Sequence, residues 1–411
     1  MKINKKVLYI TYDGMTDPLG QSQVLPYLCG LAKEGYQFTI LSFEKKDRYV
    51  RFKDVITGIT EGAGITWVPL SFTTKPPVLS KFYDSVRMKR TAFRLHRQQQ
   101  FDMIHCRSYI AADLGLKLKR KTGVKFLFDM RGFWADEKKD AGTWNQDRFL
   151  FRKVYQYYKK KEKEFIQEAD HIISLTHAAK NEILRWPVYN AGVAVSVIPC
   201  CADMDHFTLT NPEDKLEGRK VLGLPPGGLV VSYLGSVGAW YMLDEMLELF
   251  SYIKKKHSDA KFLFITHSSP LLISEKLDKY GINPDDVLIK EANRQEVPVY
   301  TKASDVNISF IKPVFSKMAS SPTKLGEVLA MGIPVIVNSG VGDVEEIIKK
   351  TGGGIVIHNF ERKELEKIAE QLGLLIALPA ASIREKAEAT YSLAKGVEQY
   401  KKSYSEIFNK Q

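Results

Sequence analysis

One short segment, residues 321–332 (SPTKLGEVLAMG), combines a helix start with two charged side chains that core packing does not require. Ser321 suits the N-cap and Pro322 the first helical position, while apolar residues recur at helical spacing to face a core. Because a helix N-terminus attracts anions, Lys324 in the first turn predicts a phosphate ligand, and Glu327 one turn later could hold a ribose diol. The alternative is an ordinary solvated Lys–Glu pair on a surface helix.

A second polar group follows the short apolar run at residues 126–128. Asp129 and Arg131 stand where a parallel strand would end, and ligands of such sheets bind beyond the carboxyl ends of the strands. Arg131 could contact a phosphate through two nitrogen atoms, and Trp134 could form a platform under a sugar ring. The alternative is a local ion pair between Asp129 and Arg131 beneath a loop.

Two further predicted strands also end in residues that could serve a ligand. Gly14 and Gly20 lie between the first strand and a helix that starts near Gln21, so a ligand could approach the backbone closely there. A plain turn between strand and helix explains the same residues equally well. His105 ends another strand, where a lone histidine is more often a hydrogen-bonding group than a catalyst.

Gly235 and Ser236 follow the first strand of the second half and form another glycine loop near a possible phosphate. Neither glycine loop has the GxGxxG spacing of a dinucleotide site. The cysteines and the acidic pairs at 136–137 and 244–245 do not form a metal-ligand pattern. We therefore expect no metal and no bound cofactor. The cysteines are Cys29, Cys106, Cys200 and Cys201.

Size and composition indicate a folded protein of two domains. The 411 residues are too many for one compact core, and 44% hydrophobic with 26% charged residues is ordinary for a soluble protein. The cysteines form no disulfide framework, which favours a reducing, cytoplasmic location. The apolar run at the N-terminus is too short for a signal peptide, and no stretch approaches the roughly 20 apolar residues that span a bilayer.

The positive charge is concentrated in the first half of the chain. Residues 1–200 contain 34 Lys and Arg against 20 Asp and Glu, a net charge of +14, whereas the remainder contains 26 against 28, a net charge of −2. A basic face could meet nucleic acid or the anionic inner leaflet of a membrane. We favour a membrane surface or an anionic, lipid-linked substrate and expect no nucleic acid. Solvated helix faces are the alternative.

The hydrophobic pattern alternates short strands with longer helical stretches, then starts afresh after residue 210. Such alternation predicts an α/β fold of two doubly wound domains with largely parallel sheets, facing each other across a cleft. The predicted strands of the first half are 7–12, 38–43, 65–70, 103–106, 126–128, 172–175 and 195–198. Those of the second half are 229–234, 262–265, 287–289, 306–310, 335–337 and 355–357.

Domain boundaries follow from the same pattern. We expect a first domain over residues 1–208 and a second over 225–385. The polar segment 209–224, rich in proline and glycine near its end, is typical of a linker. Residues 386–411 are helical in pattern and are expected to pack back on the first domain.

The order of these pieces resembles the retaining glycosyltransferases of family 4, which have the GT-B fold, over nearly the whole chain. The stretch 321–334 is similar to the end of the family's donor-site block, with Glu327 matching the second glutamate of its Glu-x7-Glu pair. Residues 197–207 resemble the family's "V-I-P-N-G-V-D…F" junction. Residues 169–174 resemble its "A-D-x-I-I-x-x-S" strand, and residues 304–306 its "A-D-V".

Three family signatures are absent. The first glutamate of the pair falls at Ala319, and the Gly-Arg and later Lys that bind pyrophosphate correspond to residues 235–236 without an equivalent lysine. The family's first-domain histidine falls near Asp129. A diphosphate leaving group still requires charge neutralisation, so we expect Lys324 and Arg131 to supply it. The chain would then be a divergent branch with an SPTK-type donor motif.

The resemblance implies a metal-independent, hexosyltransferase-like enzyme that moves a sugar from a nucleoside diphosphate sugar to a hydroxyl with retention. The donor side would be formed by Gly235, Ser236, Ser321, Thr323, Lys324 and Glu327. Asp129 and Arg131 would be catalytic, and the acceptor or sugar side would include Gly20, Gln21, His105 and Trp134. The basic first domain, in turn, suggests a lipid-linked glycan or surface polysaccharide precursor as the acceptor, which a cytoplasmic enzyme would meet at the inner face of the membrane.

A competing reading is a sugar-nucleotide-binding or partner protein that keeps the fold and has lost turnover, since three signature groups are missing. A nicotinamide-dependent oxidoreductase is disfavoured because the fingerprint loop and its downstream acidic residue are absent.

Overall fold

The computed structural model describes residues 4–409, which form two compact units. The first unit contains the chain up to Pro199 together with the residues from Leu393 onward, and the second contains Cys200–Ser392. Among the described residues, no helix is both long enough and apolar enough to cross a membrane.

Strands and helices alternate through the first unit up to Pro199. In chain order they are β1 (Lys5–Thr11), α1 (Pro18–Gln23), α2 (Leu25–Lys33), β2 (Tyr36–Glu44), α3 (Lys46–Gly62), β3 (Thr66–Ser71), α4 (Pro77–Gln99), β4 (Met103–Arg107), α5 (Ser108–Thr122), β5 (Lys125–Asp129), α6 (Trp134–Asp140), α7 (Phe149–Glu168), β6 (His171–Ser174), α8 (His177–Arg185) and β7 (Ala194–Val197).

The strands of the first unit form a seven-stranded parallel sheet in the order β3-β2-β1-β4-β5-β6-β7. Strands β4 and β6 are buried along their whole length, as expected for a sheet covered by helices on both faces. The strand order reverses between β1 and β4, and Thr11 is paired with Arg107 at that point. Ligands of doubly wound sheets bind beyond the carboxyl ends of the strands at such a reversal.

The second unit repeats the plan. Its elements are α9 (Pro212–Leu222), β8 (Val230–Leu234), α10 (Leu243–Lys256), β9 (Lys261–Ile265), α11 (Leu271–Leu277), β10 (Val287–Lys290), α12 (Glu296–Lys302), β11 (Val306–Ser309), α13 (Thr323–Ala330), β12 (Val335–Asn338), α14 (Val344–Thr351), β13 (Gly354–Ile357), α15 (Arg362–Ile376) and α16 (Ala380–Tyr391). Short 3-10 helices cover Asp278–Tyr280, Pro284–Asp286 and Phe315–Ala319.

These strands form a six-stranded parallel sheet in the order β10-β9-β8-β11-β12-β13. Apolar clusters cover both faces: one contains Phe250, Phe262 and Phe264, the other Val328 and Val335. The order reverses between β8 and β11, so the loops after these strands lie where ligands bind in this topology. The predicted pair of parallel Rossmann-like sheets is confirmed.

The segment 209–224 is ordered structure within the second unit. Asn211 caps α9 by accepting a hydrogen bond from the backbone N–H of Asp214 at 2.7 Å. Arg219 in the same helix is buried and donates to the carbonyl oxygens of Ala303 and Pro226. The polar composition that suggested a linker is therefore that of a capped helix with one exposed face.

The helical pattern near the end of the chain is divided between the two units. It breaks at Ser392, so that α16 belongs to the second unit and a last helix, α17 (Leu393–Asn409), to the first. Helix α17 packs on α2, where the Tyr27 and Tyr400 rings lie 5.5 Å apart and an added Cβ at Gly30 would lie 2.6 Å from Val397.

Candidate functional site

The loop after β8 brings a glycine next to the lysine of α13. Gly235 has a φ of +151°, and a Cβ added there would lie 2.9 Å from the Tyr233 hydroxyl and 3.3 Å from Lys324 Cε. A side chain at this position would be strained and crowded. Ser236 is exposed, and its carbonyl oxygen accepts a hydrogen bond of 2.6 Å from Tyr233. Two donor-side segments predicted from separate motifs therefore meet.

Helix α13 presents its charged residues opposite a buried apolar face. Leu325, Val328 and Leu329 are buried, as their spacing predicts, whereas Lys324 and Glu327 are partly exposed. Within the described part of the chain, neither the Lys324 ammonium nor the Glu327 carboxylate makes a hydrogen bond or salt bridge to a protein group. The helix therefore holds one cation and one carboxylate that the fold itself does not use.

The Glu327 carboxyl group has a higher pKa than an ordinary glutamate and so ionises less readily. Burial raises its pKa to about 7, although the positive charges of Lys324 and Arg294 oppose this shift. Arg294 lies in the loop between β10 and α12, far from α13 in sequence, and sequence reasoning missed it. Neither its neighbours in the chain nor its spacing marks it, because the contact depends on the packing of that loop.

Ser321 does not cap α13 as predicted. The helix begins at Thr323 with Pro322 at the N-cap, and no side chain caps it. The Ser321 hydroxyl instead accepts a hydrogen bond of 3.1 Å from the backbone N–H of Cys200. The helix start is thus tied to the segment that follows β7, and Thr323 opens the first turn.

The position of the missing carboxylate is buried. Ala319 ends the 3-10 helix Phe315–Ala319 and is 1% exposed. Two residues earlier, Lys317 is also buried, and its ammonium lies 3.8 Å from the centre of the Trp240 ring. Alanine thus replaces the family's carboxylate at position 319. The charged side chain nearby in the chain is a cation, Lys317, which is stacked on the Trp240 ring.

In the first unit, the loop after β1 is closed by the protein itself. A Cβ at Gly20 would lie 2.2 Å from the Gly14 carbonyl oxygen, so the close approach at Gly20 is between two backbone segments of the protein. Glu44 is buried and accepts hydrogen bonds from the backbone N–H groups of Met15 at 2.8 Å and Thr16 at 3.0 Å. These N–H groups are therefore already hydrogen-bonded to a carboxylate of the protein and are not available to an anionic ligand.

Gln21 also turns toward this loop. It lies inside α1, which begins at Pro18, and its side-chain amide donates to the Thr16 carbonyl oxygen at 3.1 Å. Its observed role is to hold the loop.

A buried polar cluster lies at the carboxyl ends of β4 and β5. His105 Nδ1 is 2.7 Å from the Tyr404 hydroxyl and its Nε2 is 3.4 Å from Asp129 Oδ2, to which Tyr400 donates at 3.0 Å. Burial lowers the pKa of His105, so the imidazole is neutral at physiological pH. Burial alone would raise the pKa of Asp129, but Arg131 and the other donors around it lower it, and the carboxylate is ionised.

Two arginines complete this cluster. Arg131 NH1 lies 3.8 Å from Asp129 Oδ1, so the ion pair named as the alternative is present, and Arg107 Nε lies 3.5 Å from Asp13 Oδ2. Arg107, Tyr400 and Tyr404 were not identified from the sequence. The tyrosines lie some 270 to 300 residues from their partners, and no local pattern reports such a contact.

Trp134 belongs to an aromatic group beside this cluster. Its ring centre lies 4.9 Å from Tyr158, 5.1 Å from Trp144 and 5.7 Å from Tyr109. The indole is partly exposed at the start of α6. Between residues 4 and 409, no group of three or more His, Cys, Asp or Glu side chains is arranged to hold a metal ion.

Models of two protein families match the chain in succession. Residues 22–206 match Glycosyltransferase Family 4, and residues 214–388 match Glycosyl transferases group 1. Over 144 residues the chain is 24% identical to D-inositol 3-phosphate glycosyltransferase 2 of Catenulispora acidiphila. The aligned part is 35% of this chain and 31% of that relative, so the match spans about a third of the relative's length.

Solved structures share the fold over almost the full length. Sucrose-phosphate synthase from Thermosynechococcus elongatus superposes with a TM-score of 0.71 at 16% identity, over 99% of this chain and 100% of that one. HepE of Anabaena, in complex with UDP and glucose, gives a TM-score of 0.71 at 13% identity, over 98% and 100%. With both halves matched in order and two parallel Rossmann-like sheets in place, the chain belongs to the family 4 glycosyltransferases of the GT-B fold.

Proposed function

We propose that this glycosyltransferase moves a sugar from a nucleoside diphosphate sugar to a hydroxyl acceptor with retention at the anomeric carbon and without a metal. The observation that carries the proposal is the pair Lys324 and Glu327 beside the Gly235 loop, a cation and a carboxylate that make no hydrogen bond or salt bridge with the described residues. A sugar nucleotide offers matching groups, namely a diphosphate and a ribose diol.

Lys324 and the N-terminal turn of α13 neutralise the diphosphate in this proposal. The lysine lies within 3.3 Å of where a Cβ of Gly235 would be, so a phosphate at the loop would be within reach of its ammonium. Ser236, Ser321 and Thr323 add hydroxyl donors around it. As the leaving diphosphate gains charge, a fixed cation at this point stabilises the transition state more than the ground state.

Glu327 binds the ribose. Its carboxylate accepts hydrogen bonds from the two hydroxyls, and these bonds favour the ionised form that burial disfavours. The donor therefore supplies the partners that the carboxylate lacks in the free protein.

The acceptor side is formed by Asp129 and Arg131 at the carboxyl end of β5, with Trp134 as a platform for a sugar ring. Departing phosphate helps to deprotonate the acceptor, so the mechanism requires no pair of carboxylates. His105 holds Asp129 in place in this scheme, because it is buried and bonded on both ring nitrogens.

We further propose that the acceptor is a lipid-linked glycan or a surface polysaccharide precursor, met at the inner face of the membrane from the cytoplasm. The net charge of +14 on residues 1–200 supports this proposal. Among the relatives, HepE was solved with UDP and glucose, and the Catenulispora protein is named a D-inositol 3-phosphate glycosyltransferase.

A second candidate function is a sugar-nucleotide-binding protein without turnover. It is favoured by Ala319, since the residue is buried and lacks the carboxylate that the resembled family carries at this position of the donor site.

The test is nucleotide release from a panel of UDP-, GDP- and ADP-sugars with lipid-linked acceptors, together with donor binding by calorimetry. We expect Lys324→Ala and Glu327→Ala each to weaken donor binding about tenfold or more, because each loses a charge-assisted contact. Lys350→Ala, which removes an exposed lysine of α14, serves as the control.

Donor binding without any release, dependent on Lys324 and Glu327, would favour the binding protein over the enzyme. If neither substitution changed donor affinity, the assignment of the donor site to α13 would be wrong.

A further inference from the structure

Two arginines are buried at neighbouring strand ends of the first unit. Arg107 ends β4 and is 5% exposed, and the side chain of Arg131, two residues after β5, is 7% exposed. Strands β4 and β5 are adjacent, and Arg107 is paired with Asp129 in the register. The two guanidinium groups are therefore near neighbours in a place where charge is costly.

Within the described residues, the carboxylate that forms an ion pair with Arg107 is partly exposed. The buried carboxylate of Asp129 lies 3.8 Å from Arg131. Asp13, which lies 3.5 Å from Arg107 Nε, is 49% exposed and thus interacts across partly aqueous surroundings. His105 is neutral and adds no charge. Arg107 is thus paired with a partly exposed carboxylate, and the exposed side of Asp13 marks where this group meets solvent.

Arg107 also has buried donors without acceptors. Its Nε and NH1 atoms are inaccessible to solvent and make no hydrogen bond within the described residues. The fold satisfies another buried arginine well: Arg219 donates from Nε to Ala303 at 3.1 Å, from NH1 to Pro226 at 2.7 Å and from NH2 to Asp305 at 2.8 Å. The contrast indicates that Arg107 is held for something other than the fold.

The backbone at both strand ends is strained. Ser108, which follows Arg107, has a φ of +65°, and Arg131 has a φ of +53°. Residues other than glycine seldom adopt these angles, and such strain clusters at functional sites. Helix α5 begins at Ser108, so its positive end adds to the charge of Arg107.

We infer that Arg107, together with Arg131, binds an oxyanion of a substrate at the carboxyl ends of β4 and β5. The ligand class is a phosphate or carboxylate, whose oxygens accept hydrogen bonds from the N–H groups of Arg107 that lack acceptors within the described residues. That the oxyanion belongs to a substrate rests on the proposed function. It would be either the diphosphate of the donor or an anionic group of the acceptor.

The first measurement is binding of inorganic phosphate and pyrophosphate by calorimetry. We expect Arg107→Met to weaken binding about tenfold or more, since the variant loses a charge-assisted hydrogen bond. Arg120→Met, which removes an arginine paired with Glu164 and Glu168 on the surface, should leave binding unchanged. No binding by the wild type, or equal binding by Arg107→Met, would overturn the inference.

Two further probes distinguish the sources of the oxyanion. If it is the donor's diphosphate, Arg107→Met weakens UDP about as much as pyrophosphate. If it belongs to the acceptor, UDP affinity is unchanged, and glycerol 3-phosphate binds wild type saturated with UDP but not the variant. Binding that depends on Arg107 in a protein without transferase activity would support this site and contradict the proposed function.

The same variant reports on folding. Because Arg107 has unmatched buried donors, Arg107→Met should keep or raise the Tm of the free protein, whereas Arg219→Met should lower it. A marked fall in Tm for Arg107→Met would show that the arginine serves the fold and would overturn the inference.

Discussion

At the scale of single residues, the free protein keeps Glu327 in an unfavourable state. The carboxyl group is partly buried, its pKa is about 7, and no protein donor contacts it within the part of the chain described. Carboxyl groups with a raised pKa and no protein donor are typical of binding sites, where a ligand supplies the missing hydrogen bonds.

Binding of a sugar nucleotide should depend on pH through Glu327. The hydroxyl groups of the ribose donate to the ionised carboxylate. The affinity for the sugar nucleotide should therefore fall as the pH drops below about 7, which is the pKa of Glu327 in the free protein. The diphosphate diester of UDP-glucose does not titrate in this range, so it is a suitable probe. Calorimetry between pH 5.5 and 8.5 would measure the slope, which Glu327→Gln should abolish. An equal slope in the variant would contradict the prediction.

Glu327→Gln should also stabilise the free protein at alkaline pH. A carboxyl group with a raised pKa is disfavoured in its charged form, so its cost appears as the pH rises from the unfolded pKa near 4.5 toward 7 and is complete above that. The cost is at most about 3 kcal/mol at pH 8 and vanishes below pH 4.5. The Tm of the variant, compared with wild type and with Glu385→Gln on the exposed side of α16, measures it. Equal Tm values at pH 8 would refute the prediction.

At the scale of elements, helix α17 completes the polar cluster at β4 and β5. Tyr400 and Tyr404 bring their hydroxyls to Asp129 and His105, and both rings are buried. A buried carboxylate that accepts a hydrogen bond from such a hydroxyl is stabilised in its charged form. The position of Asp129 therefore depends on a helix from the far end of the sequence.

Tyr400→Phe should lower stability by about 1–3 kcal/mol, because it leaves a buried charged acceptor with one donor fewer. Tyr391→Phe is the matched control: Tyr391 is also fully buried, but its hydroxyl makes no hydrogen bond within residues 4–409. The control should keep its stability or gain some. Chemical denaturation of both variants gives the comparison, and equal losses would contradict the assigned role of Tyr400.

The strands were predictable because each is a short run rich in apolar and β-branched residues, and inner strands such as β4, β8 and β12 are buried along their whole length. Helices whose ends depend on a cap or on a single interrupting residue were less predictable. Val24 separates α1 from α2, and Ser392 separates α16 from α17, inside patterns that look continuous. Helix α9 was not predicted, because the polar residues on its exposed face have the composition of a linker.

The candidate site divides in the same way. Lys324 and Glu327 could be identified because a single helix carries both. Arg294, Arg107 and Glu44 could not, since each becomes significant only through a partner on another element. Sequence patterns report local periodicity, whereas these roles depend on loop packing and on strand order.

At the scale of the whole molecule, the uneven charge combines with exposed aromatic groups. At the start of α7, Phe149 is 66% and Leu150 is 51% exposed, and the Phe149 ring lies 5.5 Å from the Lys153 ammonium and 6.0 Å from the Arg152 guanidinium. Apolar side chains among cations match the interface of an anionic membrane.

Vesicle pelleting should therefore show binding to anionic lipid that weakens with salt. The double change Arg152→Glu with Lys153→Glu should reduce binding about tenfold or more, at roughly 1 kcal/mol for each basic residue lost. Lys349→Glu with Lys350→Glu makes the same charge change on α14 of the second unit and should have little effect. If the protein did not bind the vesicles, or bound them equally at all salt concentrations, the proposed binding to an anionic membrane surface would be wrong.

The return of α17 to the first unit has a consequence for biosynthesis. The chain leaves the ribosome from its N-terminus, and domains generally fold in that order as they emerge. Here the first unit must wait until all of Cys200–Ser392 has been translated before Tyr400 and Tyr404 can reach Asp129 and His105. Until then α2 lacks the helix that packs against its Tyr27. The polar cluster at the ends of β4 and β5 is therefore the last part of the first unit to be completed.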